Sequence, residues 1–276
     1  METIDFDREA LIFIHVPKAA GTALAAALSR AVGADRTIHL KQGKIENWRW
    51  NRWDERREEA LTAMRLGWGA VTGRHALLPS RATRAEVDGA RFLYGHIRLD
   101  QVPRTQRRPR VITVLRDPVD RFLSRYYYTF DRDARGRDAA RKPSHDRRTG
   151  AVPETPEAFL DMMAARGTVT WRNGQCRFFD RSGSAAAALR RIAEDDVAVA
   201  PLPALPQFRD TLAAALPCAL EAIGQVNVGA ARRQRGTVTP TLRARIEDVF
   251  AEDVTLYRMA EAAFAKGGPM ALARAG

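Results

Sequence analysis

The amino-acid sequence predicts an α/β protein in three layers, a central parallel sheet flanked by helices. Three observations carry this. Short apolar, β-rich runs alternate with helical patterns along the 276 residues, which is how a parallel sheet covered on both faces reads. The first such run ends at a proline and passes through small residues into a helix, as a strand–turn–helix unit does. No internal repeat at a fixed period is visible. A chain of this length with 45% hydrophobic residues can bury a sizeable core, and we read 1–276 as one domain.

Taken in order, residues 11–16 (LIFIHV) form a buried strand and residues 22–32 the helix that follows it. Residues 41–66 are charged, carry Trp48, Trp50 and Trp53, and turn helical in their second half. Residues 91–95 (RFLYG) and 110–115 (RVITVL) read as two further strands. Pro118 stands where a first-turn proline would, with Asp117 as the cap, and the helix continues over 119–130. Residues 131–153 are rich in Arg, Asp, Gly and Pro with almost no apolar side chains, which predicts a mobile loop. Short helices follow at 156–166 and 184–193, a strand at 196–200 and a helix at 207–216. Residues 232–236 (RRQRG) make a basic loop. A long amphipathic helix spans 240–265, with Ile246, Val249, Phe250, Val254, Leu256 and Tyr257 toward the core.

Forty-five Lys and Arg against 33 Asp and Glu give a net charge of +12. Such a surface attracts anions without choosing among nucleotides, nucleic acids, acidic polysaccharides or acidic lipids. Two cysteines, Cys176 and Cys218, are too few for a disulfide framework or a zinc cluster, and reduced thiols are expected. No stretch of about 18 apolar residues is present, so no transmembrane segment is expected. Residues 1–10 are acidic and polar, unlike a signal peptide. The expectation is a cytoplasmic protein.

The segment Pro17-Lys18-Ala19-Ala20-Gly21-Thr22 holds the chemistry. A strand end feeding a helix start is an anion site, because first-turn amides lack intrahelical partners and the helix dipole favours negative charge there. Gly21 and the alanines let a phosphate approach the backbone. Lys18 supplies a point charge and Thr22 a hydroxyl. The order is not that of a Walker loop, since the lysine precedes the glycine, and no obvious acidic partner for Mg²⁺ stands nearby. A phosphate-bearing donor is implied, with no metal.

The segment FIHVPKAAGTAL resembles the 5′-phosphosulfate loop of the sulfotransferase superfamily, in the branch that includes carbohydrate sulfotransferases and the heparan sulfate 2-O-sulfotransferase. VLRDPVDRFLSRYYY is similar to the same family's 3′-phosphate motif: a strand, an arginine, then a helix carrying a serine. Fainter similarity runs through RNGQCRFF, QVNVG and IEDVFAEDVTLY, so the resemblance covers most of the chain. It implies a P-loop-type fold and the donor 3′-phosphoadenosine 5′-phosphosulfate. Lys18 would contact the 5′-phosphate and bridging oxygen, and Ala19, Ala20, Gly21, Thr22 and Ala23 would wrap that phosphate. Arg116 and Ser124 would hold the 3′-phosphate. Arginine can grip phosphate bidentately, and Ser124 lies about two turns beyond Arg116. The loop 232–236 corresponds to one that closes over the nucleotide, with Arg233 as its contact.

Sulfuryl transfer to an alcohol needs a base for the hydroxyl proton, and histidine suits neutral pH. His96, in FLYGHIRLD, follows a strand at the rim where α/β sites gather, and it matches the histidine that acts as base in the 2-O-sulfotransferase branch. The sequence departs from that branch at Tyr94, where a first histidine would stand. His75 and the carboxylate of Asp100 are the alternatives. His15 reads as structural, and His39 and His145 as surface or loop residues. Arg98, Arg104, Arg107, Arg108 and Arg110 follow His96 closely and could bind an acidic acceptor. The expected partner is a carbohydrate, with acidic polysaccharide and glycolipid both admitted, and no nucleic acid. Two competing classes remain open at this point: a metal-dependent small-molecule kinase on a related P-loop fold, and a non-catalytic anion or nucleic-acid binder.

Overall fold

The computed structural model describes residues 1–40, 84–103, 105–138, 153–165, 172–223 and 238–267. Five strands, β1 (Glu9–Ile14), β2 (Thr37–Leu40), β3 (Phe92–Gly95), β4 (Arg108–Leu115) and β5 (Ala198–Pro201), form one sheet in the order β2-β3-β1-β4-β5. All four pairings are parallel. Helices α1 (Gly21–Val32), α2 (Arg84–Gly89), α3 (Pro118–Asp138), α4 (Pro156–Ala165), α5 (Ala185–Glu194), α6 (Leu205–Ala215), α7 (Pro240–Val249) and α8 (Ala251–Ala265) surround it. The fold is a three-layer α/β sandwich, as the sequence predicts.

The layers follow from the period of two along each strand. On β1, Ala10, Ile12 and Ile14 enter a core shared with α5 and α8. Leu11 and Phe13 point the other way, toward α1 and α6. Residues 10–14 of β1 are therefore buried throughout, as strands of a parallel sheet covered on both faces are. Each fully buried Leu, Ile or Phe here contributes about 1.5–3 kcal/mol. A third core lies away from the sheet, where Phe122 and Tyr126 of α3, Phe159 of α4 and Ile246 of α7 pack together.

Four features depart from the sequence reading. Strand β2 is unforeseen because it is a short edge strand with only Leu40 fully buried. The single-turn α2 is likewise unforeseen; Val87 is its one buried apolar side chain. Helix α3 runs on to Asp138, so residues 131–138 are helical, where a loop was expected; 139–152 lie outside the described residues. The long C-terminal helix is broken at Phe250, whose φ of −112° and ψ of 31° leave the helical region. The break lets α7 face the third core through Ile246 while α8 turns Leu256 and Tyr257 into the sheet core. Val254 is only half-buried. The two cysteines are free thiols, Cys176 buried and Cys218 half-buried. Among the described residues, no helix is long and apolar enough to cross a membrane.

Candidate functional site

Strand order fixes where a ligand can enter. The chain leaves β1 toward β2 on one side of the sheet and leaves β4 toward β5 on the other, yet β1 and β4 are neighbours. Loops departing in opposite directions open a crevice at the carboxyl ends of such strands. The segment after β1, His15 to Ala20, and the residue after β4, Arg116, meet there: Arg116 Nη1 donates to the Lys18 carbonyl at 3.0 Å.

The loop is held in a costly shape. Lys18 (φ 70°) and Ala20 (φ 57°) both adopt left-handed backbone without being glycine, at about 1–2 kcal/mol each. Ala20 is also the N-cap of α1, and no side chain caps that helix. Of the first-turn amides, that of Ala23 donates to the Ala20 carbonyl at 3.3 Å, and an uncapped helix start of this kind is a general place for an anion. Strain of this kind persists only where the surroundings over-determine it.

Those surroundings are a buried polar network. Arg121 of α3 donates from Nε to the Pro17 carbonyl at 3.2 Å and from Nη1 to Asp253 Oδ2 at 3.4 Å. Asp253, with a side chain 0% exposed, accepts the N–H of Gln175 at 3.0 Å and of Cys176 at 2.9 Å. The Gln175 amide clamps the backbone of Arg116, accepting its N–H at 3.0 Å and donating to its carbonyl at 2.8 Å. Burial pushes the Asp253 carboxyl up and Arg121 down from their ordinary values, while each partner opposes the shift of the other. With two backbone donors and a guanidinium on it, the carboxylate is the form the network is built around. A third left-handed residue, Asn173 (φ 52°), joins this assembly through its side-chain carbonyl, which accepts the N–H of Asp253 at 3.4 Å.

Helix α3 begins at Asp117, whose carboxylate accepts the N–H of Asp120 at 2.9 Å, the cap that the sequence predicts. From there, Arg121, Ser124 and Tyr128 share one helical face by their spacing. Arg121 touches the loop, and the Lys18 ammonium lies 3.0 Å from the Tyr128 ring centroid. Ser124 stands between them, half-buried. Arg116 itself is only 5% exposed, and its bonded role is to brace the loop.

The other side of the loop is built from rings. A Cβ on Gly21 would stand 2.2 Å from His15 Cδ2, so only glycine lets the start of α1 rest on that imidazole. The His15 ring stacks on Phe13 at 5.5 Å and lies 4.4 Å from the His96 ring. Burial first, then the nearby His96 and His39, pushes His15 down to about 3, so it is neutral near pH 7. His96 Nδ1 donates to the His15 carbonyl at 2.6 Å. A carbonyl can only accept, so in the neutral ring Nδ1 carries the proton and Nε2 keeps its lone pair. An open cleft of about 530 Å³ adjoins, lined by His15, Thr22, His39, Tyr94 and His96 together with apolar side chains of α1 and β2. His39 is a surface residue, as read from the sequence, but on a strand and not in a loop: it is exposed on β2 opposite Tyr94 and stacks on that ring at 4.6 Å and 3°.

The structure thus gathers Lys18, Ala19, Ala20, Gly21, Thr22, Ala23 and Arg116 at one crevice, with Ser124 on its α3 side and His96 across the His15 ring. Arg233, His75, His145, Arg104 and the three tryptophans lie outside the described residues. Three of the described arginines after His96 have partners of their own, and Arg108 is exposed. Arg98 pairs with Asp100 at 3.0 Å, and Arg181 with the same carboxylate at 2.7 Å. Arg107 donates to the carbonyls of Phe6 and Asp88. Arg110 pairs with Glu9 at 3.8 Å. Arg107, Arg108 and Arg110 stand at the amino end of β4, about seven residue steps, or roughly 23 Å, from the crevice. Asp100, the carboxylate alternative for the base, thus pairs with both Arg98 and Arg181. Arg121, Gln175 and Asp253 are the residues that sequence reasoning missed, although the segments RNGQCRFF and IEDVFAEDVTLY carry two of them. Among the described residues, no group of three or more His, Cys, Asp or Glu is arranged to hold a metal ion. No protein-family model matches the chain, and a search of curated proteins returns no match.

Proposed function

We propose that this chain is a sulfotransferase that moves the sulfuryl group of 3′-phosphoadenosine 5′-phosphosulfate to a hydroxyl of a carbohydrate. The observation that carries the reading is the 3.0 Å contact of Arg116 with the Lys18 carbonyl. It joins the two motifs of the family resemblance at the one crevice where α/β sheets take nucleotides. In this reading the uncapped start of α1 and Lys18 receive the 5′-phosphate end, and Arg116 and Ser124 the 3′-phosphate. His96 Nε2 takes the acceptor's hydroxyl proton. The acceptor oxygen bonds to sulfur as the sulfur–oxygen bond to the 5′-phosphate breaks, and Lys18 faces the charge left on that phosphate.

The test is calorimetry with adenosine 3′,5′-bisphosphate in the presence of EDTA. A micromolar-class dissociation constant, about −8 kcal/mol, is expected. Absence of heat, or heat only with Mg²⁺, overturns the donor assignment and favours the kinase class. Incubation with radiolabelled donor and a panel of polysaccharides, glycolipids and small alcohols then identifies the acceptor.

A further inference from the structure

The cleft between α1 and the β2–β3 rim has the dimensions and lining of a small-molecule site. Its volume of about 530 Å³ falls within the roughly 300–1,000 Å³ such sites occupy. Its position is fixed by backbone contact: a Cβ on Gly95 would meet the Leu40 carbonyl at 1.8 Å, so β2 and β3 run as close as glycine permits. Above that contact the rings of His39 and Tyr94 lie parallel, and Ala25 and Ala26 of α1 add methyl groups. Among the described residues, the polar side chains that line the cleft are Thr22, Tyr94 and the three histidines.

The chemistry of this lining selects its occupant. Among the described residues, no Lys, Arg, Asp or Glu lines the cleft, and His15 is neutral near pH 7. A carboxylate or sulfate set against these described side chains would lose hydration without gaining a cation from them, an expensive exchange. Aromatic faces and methyl groups suit the C–H face of a sugar ring, while scattered hydroxyl and imidazole groups suit its hydroxyls. Of the arginines that follow His96, Arg98 pairs with Asp100, Arg107 holds backbone carbonyls and Arg110 pairs with Glu9.

We infer that this cleft is an acceptor subsite whose occupant is a neutral sugar ring, seated on the His39–Tyr94 pair with one hydroxyl at His96 Nε2. The inference deepens the sulfotransferase reading and rests on it for the meaning of "acceptor". It narrows the carbohydrate class to one without carboxylate or sulfate on the ring that enters.

Two probes differing only at C6 decide it: phenyl β-D-glucopyranoside and phenyl β-D-glucuronide, with binding followed by saturation-transfer NMR. The neutral glycoside is expected to bind and the glucuronide to bind at least about fivefold more weakly, the cost of an unpaired carboxylate. His39→Ala should weaken glycoside binding about three- to tenfold, the size of an aromatic contact, and His39→Phe should restore it. Affinity for adenosine 3′,5′-bisphosphate, measured on the same samples, should not change in either variant. Equal or tighter glucuronide binding, no glycoside binding, or no effect of His39→Ala overturns the inference. Loss of bisphosphate binding in the unaltered protein, with the glycoside results as expected, would instead leave a sugar site and remove the sulfotransferase reading.

Discussion

On its α3 side the Lys18 loop is gripped by charged and amide groups packed out of water; on its β3 side it leans on aromatic rings that border an open cleft. Arg116, Arg121, Gln175 and Asp253 hold backbone carbonyls and amides at 2.8–3.2 Å. His15, His39, Tyr94 and His96 meet through ring contacts at 4.4–4.6 Å and through the hydrogen bond from His96 to the His15 carbonyl. The first arrangement fixes geometry, because buried polar groups are costly in any other position. The second tolerates a range of partners, because ring faces are weakly directional. Under the proposed sulfotransferase reading, an invariant donor suits the fixed side and a variable acceptor the other.

Breaking the fixed side should have the largest effect. Asp253→Ala leaves the guanidinium of Arg121 buried without its carboxylate, a loss of about 3–5 kcal/mol. Urea unfolding should show it, together with loss of bisphosphate binding. A variant of unchanged stability would mean that the network does not support the loop. His96→Ala breaks the other side alone. Transfer should fall about 10²- to 10⁴-fold, with bisphosphate affinity retained; full transfer would move the base elsewhere, with His75 next in line.

The pH dependence of stability sharpens the contrast. As pH falls through 6.5, unfolded chains take up a proton at His15, whereas the folded protein resists until about 3. The unfolded state then binds more protons, so stability from this group is fully present above 6.5 and declines toward about 3. The slope is up to about 1.4 kcal/mol per pH unit. His15→Asn should remove that slope between pH 6 and pH 4 (roughly the middle of the window), measured by unfolding at each pH; identical slopes would mean the ring is not held neutral. The smallest effect is at Tyr128. Its ring orders Lys18 on the crevice side, a contact of about 0.5–1 kcal/mol at an exposed site. Tyr128→Leu should weaken bisphosphate binding about two- to fivefold while Tyr128→Phe keeps it. Equal loss in both would assign the effect to the hydroxyl.

Much of the fold was legible because its signals are local. The strand–loop–helix at 11–32, the β4 run ending at Arg116 and the Asp117 cap each lie within a few residues of their partners. The acid–base tautomer of His96 was not legible, since it depends on a carbonyl 81 positions away. Gln175 reaches Arg116 across 59 positions and Asp253 across 78, distances over which spacing says nothing. One signal was nevertheless present. Asp253 falls on the apolar stripe that runs through Ile246, Phe250, Tyr257 and Ala260, and a carboxylate on such a stripe needs a buried partner. Strand β2 gave less: TIHL on a sheet edge has too few buried positions to declare itself.

The contact between Gly21 and the His15 ring means that the Lys18 loop and the cleft share a wall one imidazole thick. Trimming His15 to enlarge the cleft would also take away what α1 rests on, so the two sides cannot be redesigned independently at that position. Ala25, Ala26 and His39 border the cleft from outside the Pro17–Ala20 turn. Under the proposed reading, selection or engineering for a new acceptor would have its freedom there, one helical turn and one strand removed from the wall.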